Sequence, residues 1–175
     1  MEYMFMPLRR YADFSGRSRR MEFWMWQLFQ VIVYIGVIVL AMVFGGGMMM
    51  MSGDPSGMMA AGGVMLIIMM LYGLYALAVL IPSIAVAVRR LHDTERSGWW
   101  ILAPLAGYVL MIIGGVMAAA SPDAPGIGGI IALIGMVALI GLGITLLVFY
   151  FLEGTRGPNK YGPDPKQPTP DKVFA

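Results

Sequence analysis

Four long apolar stretches dominate the chain, at 23–44, 58–88, 99–120 and 126–152, with every charged residue outside them. Each reaches the ~20 residues that a helix needs to cross a ~30 Å hydrocarbon core. A segment within lipid must satisfy its own backbone or close into a barrel, and the two-residue alternation of a barrel strand is absent. The pattern therefore predicts an all-α integral membrane protein with four transmembrane helices. The second stretch exceeds what a bilayer requires, so 58–63 is assigned to an outer loop or interface and the helix to 64–88. Pro82 predicts a kink near the end of that helix, and Pro104 a milder break at the start of the third. The expected organisation is a segment 1–22 that approaches the membrane as a helix, spans at about 23–44, 64–88, 99–120 and 126–152, and a tail 153–175 rich in Pro and Gly.

The charge pattern adds an orientation. Arg9, Arg10, Arg17, Arg19 and Arg20 precede the first span, and Arg89, Arg90 and Arg96 lie between the second and third. Arg156, Lys160, Lys166 and Lys172 follow the fourth, which accounts for all 12 basic residues. With four spans they share one side, and the other two loops carry only Asp54 and Asp123. The positive-inside rule makes that shared side cytoplasmic, so both termini are expected inside. The first apolar run is too long for a signal-peptide core and ends without a small-residue cleavage site. Ser18–Phe23 is a poor twin-arginine signal, because Glu22 stands where an apolar residue is needed.

Composition agrees. Of 175 residues, 59% are hydrophobic and 13% charged, against about 25% charged in a soluble domain. The absence of cysteine excludes disulfides and thiolate metal sites.

Three polar motifs flank the spans. The first is Phe14-Ser15-Gly16-Arg17-Ser18-Arg19-Arg20-Met21-Glu22-Phe23-Trp24, and the second runs from Arg89-Arg90-Leu91-His92-Asp93 through Ser97-Gly98-Trp99-Trp100. The third is Gly157-Pro158-Asn159-Lys160-Tyr161-Gly162-Pro163-Asp164-Pro165. In this order around apolar spans they resemble the bacterial inner-membrane family known as domain of unknown function 805. The resemblance covers nearly the whole chain and implies a small multi-spanning plasma-membrane protein with no established activity to carry over. The chain departs from shorter relatives in a Met- and Gly-rich outer loop and in a last hydrophobic region long enough for two spans.

The motifs are expected to pack together as a polar cap on the cytoplasmic face. A helix through the first would put Arg17, Arg20 and Trp24 on one side. Trp24, Trp26, Trp99 and Trp100 sit where interfacial aromatic belts occur. Asp93 and Glu95 can pair with the arginines, Thr94 or Ser97 can cap the third helix, and Asn159 and Tyr161 would fix a non-helical tail beneath the membrane.

Several activities are weighed against this. His92 beside Asp93, with Ser97 nearby, has the residue types of a nucleophilic triad, but a triad needs convergence in space. A structural histidine is the simpler expectation, and no catalytic residue is assigned. A lone histidine cannot hold a metal. The Met48–Met51 run with Met58 and Met59 could handle Cu(I), although Met also fills apolar interfaces; no cofactor or metal is expected. Ion-coupled transport usually places ionisable groups within the membrane, and here there are none. Small residues in the third span (Ala103, Gly107, Gly115, Ala119) and fourth (Gly129, Gly135, Gly141, Gly143) permit close helix packing or a homo-oligomer. Arg17, Arg20, Arg89 and Arg90, with His92, are candidates for anionic phospholipid at the headgroup level, and nucleic acid is not an expected partner. The expectation is a non-enzymatic scaffold or accessory subunit of the bacterial inner membrane. The alternative is a small oligomeric transporter or channel component.

Overall fold

The computed structural model describes residues 2–47, 54–121 and 126–167; Met48–Met51, Asp123 and Lys172 lie outside them. Five α-helices follow one another: α1 (Glu2–Arg9), α2 (Arg20–Leu40), α3 (Pro55–Asp93), α4 (Ala103–Ala120) and α5 (Gly126–Phe151). A π-helical segment, Ala41–Gly46, continues α2, and a 3₁₀ segment, Gly98–Leu102, leads into α4. Four helical stretches are long and apolar enough to cross a membrane: Arg20–Gly46, Pro55–Asp93, Gly98–Ala120 and Gly126–Phe151. No strand occurs among the described residues. Leu, Ile, Val and Met side chains lie exposed along all four, while Arg17, Ser18, Arg89, Arg90 and Asp93 are buried. This inverts the usual soluble arrangement and suits a lipid solvent.

Two expectations about element limits change. The segment 58–63 is helical, because α3 starts at Pro55. Asp54 caps it, accepting from the Gly57 N–H at 3.2 Å, and Pro55 occupies the first helical position, where no N–H is needed. At ~1.5 Å per residue its 39 residues extend ~58 Å, well beyond one hydrocarbon core. The approach helix is also interrupted. It stops at Arg9, Gly16 takes a left-handed φ of 75°, and α2 begins only at Arg20. Arg17 therefore precedes the helix and does not share a helical face with Arg20 and Trp24.

The chain forms two compact units: Met1–Asp13 with Met21–Val86, and Phe14–Arg20 with Ala87–Ala175. In the first, α2 pairs with α3 through a polar seam. Trp26 donates its indole N–H to Ser83 Oγ at 3.0 Å, and the Tyr75 hydroxyl donates to Gln30 Oε1 at 2.7 Å. Trp26 is fully buried, so it serves the helix pair and not an interfacial belt. From α1, Phe5 packs edge-on to Phe29 at 5.3 Å. Pro82 lies within α3 and supplies no N–H, which leaves the Ala78 carbonyl without its helical donor. The Tyr11 hydroxyl donates to that oxygen at 2.5 Å.

In the second unit α4 and α5 pair closely. A Cβ at Gly107 would strike the backbone of Leu139, one at Gly114 that of Ala132, one at Gly128 that of Ala118, and one at Gly135 that of Met111. Gly107 and Gly135 were expected at a close approach, whereas Gly115, Gly129, Gly141 and Gly143 meet nothing within 4 Å. The contacting glycines recur every seven residues on each helix, the spacing of a seam between two paired helices.

Candidate functional site

The carboxyl end of α3 carries a buried polar cluster within the second unit. Asp93 is its centre. Its Oδ1 accepts from Arg17 Nε at 2.9 Å and its Oδ2 from Arg90 Nη1 at 2.5 Å. Arg17 also donates to the Thr155 carbonyl at 2.5 Å and the Gly157 carbonyl at 2.7 Å. Arg90 donates to the carbonyls of Tyr150, at 3.2 Å, and Leu152. Tyr150 stands in the last turn of α5 and Leu152 directly follows it; carbonyls there lack helical donors of their own, so Arg90 closes that helix end. Arg89 donates from Nε to Ser18 Oγ at 3.0 Å, and its carbonyl accepts from the Ser18 N–H at 3.1 Å.

The tail closes over this centre. The Thr155 N–H donates to the Asp93 carbonyl at 2.9 Å. Gly154 lies so close to the Asp93 carboxylate that a Cβ would collide with it. Asn159 Nδ2 donates to the His92 carbonyl and to Thr155 Oγ1, both at 3.0 Å, and its Oδ1 accepts from the Tyr161 N–H at 2.9 Å. The His92 ring stacks on Tyr161 with centroids 3.8 Å apart and an interplanar angle of 4°. Its Nδ1 lies 3.3 Å from the Gly16 carbonyl; a carbonyl only accepts, so Nδ1 carries the proton. Asp164 accepts from the Lys166 N–H at 2.9 Å and the Gly157 N–H at 3.1 Å. These two bonds hold its carboxyl below the usual carboxylate range, the Lys166 bond contributing most.

All three polar motifs thus meet in one network, through Arg17–Asp93 and Asn159–His92. Three of the four arginines named as lipid candidates, Arg17, Arg89 and Arg90, are buried with protein acceptors. Arg20 lies at the edge, bound to the Phe151 carbonyl at 3.0 Å and to Glu153 at 2.8 Å, and remains partly exposed. Trp24 belongs to the first unit, edge-on to Phe23 at 5.2 Å.

The connection to α4 was partly legible in the sequence. Ser97 caps the 3₁₀ segment, its Oγ accepting from the Trp99 N–H at 3.4 Å, while Thr94 Oγ1 donates to the Leu91 carbonyl. Not anticipated was the end of α3. The Arg96 N–H returns to the Leu91 carbonyl and the Glu95 N–H to the His92 carbonyl, a Schellman closure. Glu95 stands in it at φ 60°, where glycine is usual. The triad types do not converge, since Asp93, His92 and Ser97 each engage different partners. Among the described residues no group of three His, Asp or Glu side chains could hold a metal ion.

Comparison with known proteins gives relatives along almost the full chain. Inner membrane protein YhaI of Escherichia coli (strain K12) is 33% identical over 166 residues, covering 95% of this chain and 97% of the relative. Inner membrane protein YhaH of the same strain is 31% identical over 166 residues, covering 95% and 98%. No solved structure matches. Residues 11–163, which include the first two motifs, the third as far as Pro163 and all four long helices, match the family described as protein of unknown function (DUF805), and the chain belongs to that family.

Proposed function

We propose that the protein is a non-enzymatic component of the bacterial inner membrane, a scaffold or accessory subunit. It presents the polar cluster as a rigid cytoplasmic platform and takes anionic phospholipid as a partner. The observation that carries this reading is the internal saturation of the cluster. Asp93, Arg17 and Arg90 satisfy one another and the carbonyls between Tyr150 and Gly157, whereas a reaction centre holds its reactive groups toward a substrate. The one-sided distribution of basic residues supports a cytoplasmic position for both termini. Burial of Arg17, Arg89 and Arg90 favours a structural role for them and leaves headgroup contact to basic residues outside the network.

Extraction of the full chain with its surrounding bilayer in a polymer nanodisc, with identification of the lipids and proteins retained, tests the reading. Enrichment of anionic phospholipid and recovery of a stoichiometric membrane-protein partner are expected. Bulk lipid composition, no partner, and solute flux through liposomes containing only this chain would favour the oligomeric transporter instead.

A further inference from the structure

Arg96 differs from the arginines of the polar cluster. Its Nε is enclosed and meets no acceptor among the described residues, while the side chain as a whole stays partly exposed. The guanidinium carbon lies 3.6 Å from the centroid of the Phe149 ring, and Trp100 meets that same ring edge-on at 5.2 Å. An aromatic face offsets the charge but accepts no hydrogen bond from the fork of N–H groups. Arg17 and Arg90, which lie deeper, each find several oxygens.

Directly after Trp100 in the chain comes an apolar groove. Leu102, Leu105, Ala106, Val109 and Leu110 line a shallow, open groove of about 510 Å³. They recur at intervals of three and four, so they share one face of the 3₁₀–α4 stretch. Trp99, in the 3₁₀ segment that joins the Arg96 loop to α4, is 78% exposed, a side chain suited to the boundary between headgroups and tails.

We propose that Arg96, Phe149, Trp100 and this groove form a site for one anionic phospholipid, with its phosphate on Arg96 and an acyl chain along Leu102–Leu110. The inference rests on the membrane-component reading and names the residues that would hold its lipid. The planar guanidinium matches two phosphate oxygens. An apolar groove on a membrane-crossing helix favours a lipid over a free phosphate.

Native mass spectrometry of the full chain, released from nonionic detergent after exposure to phosphatidylglycerol or phosphatidylcholine, tests the site. Arg96→Gln is expected to lower retained phosphatidylglycerol roughly tenfold, the scale of losing one charge-assisted contact. Ala106→Phe, which fills the groove and keeps the arginine, is expected to lower it severalfold. Arg156→Gln, at an exposed arginine, leaves it unchanged. Equal retention by wild type and Arg96→Gln would overturn the site, as would an equal loss in Arg156→Gln. Displacement of the lipid by millimolar inorganic phosphate would also overturn it, in favour of a free-phosphate site. Should Arg96→Gln not fold, Ala106→Phe decides, and unchanged retention there refutes the proposal. Wild type holding no more phosphatidylglycerol than phosphatidylcholine would remove the lipid partner altogether; a difference between lipids that survives both variants removes only this site.

Discussion

Asp93 accepts a hydrogen bond from Arg17 across 2.9 Å, joining positions 76 apart in the chain, and both side chains are almost wholly buried. Arg90 holds the other carboxylate oxygen. Replacing Asp93 with Asn leaves two buried guanidinium groups without a counter-charge. Breaking such a pair from one side destabilises by about 3–5 kcal/mol. Thermal unfolding in detergent is expected to show a loss of that order. A cycle of Arg17→Gln with Asp93→Asn should give strong coupling, and additive losses would refute the pairing.

The α4–α5 seam and the tail both depend on close approach. Gly107→Ala and Gly154→Ala are expected to destabilise by about 1–3 kcal/mol each, the usual penalty of overpacking. Gly115→Ala and Gly143→Ala, where a Cβ meets nothing within 4 Å, should be neutral within detection. Unfolding midpoints of the four variants side by side test this, and equal effects would contradict the seam.

Tyr11→Phe removes the donor that compensates Pro82 at the Ala78 carbonyl. The expected loss is about 1 kcal/mol or somewhat more, since a backbone acceptor is left unmet. In a Pro82→Ala background the helix regains its own N–H, and the same Tyr11→Phe change should have a smaller effect. That non-additivity is the quantity to measure.

Glu95 holds a left-handed conformation at the end of α3. Because only glycine adopts it without a Cβ penalty, Glu95→Gly is expected to stabilise the protein by about 0.5–1 kcal/mol. A lower unfolding midpoint for this variant would mean that the glutamate side chain has a role outside the turn.

The Asp164 carboxyl is held low by the Lys166 and Gly157 N–H groups. A carboxylate with a depressed folded value contributes stability above its unfolded value of about 3.9 and loses it as pH falls through the folded one. Proteolytic cleavage of the tail should therefore accelerate only below pH ~4, and Asp164→Asn should show that acceleration at neutral pH. An unchanged cleavage rate in the variant would remove the carboxylate from the tail's support.

The cap residues were legible as types and as neighbours of the membrane boundary, since charged and turn-forming residues stand out against apolar runs. Their partners were not. Arg17 and Arg20 look equivalent in the sequence, three positions apart, yet α2 begins only at Arg20 and leaves Arg17 in the segment after the Gly16 turn. Arg17 then turns inward to Asp93, while Arg20 stays at the edge. Trp26 and Trp24 look equally interfacial, but a Ser83 hydroxyl one helix away makes Trp26 a core residue. The start of α3 was readable from Asp54-Pro55, an N-cap followed by a first-turn proline, but hydropathy alone placed it later.

The opening pattern of four apolar stretches determined by itself that the chain is helical and crosses a membrane. Backbone hydrogen bonding in hydrocarbon allows no open alternative to a helix. Only the tertiary structure decided which glycines touch another helix, which carbonyl Tyr11 satisfies, and which arginines are enclosed. Those outcomes depend on the rotation of each helix about its axis and on where a turn re-aims the chain. A shift of one residue turns a helical side chain by about 100°, so Gly114 and Gly115, equal in the sequence, differ entirely in what they meet.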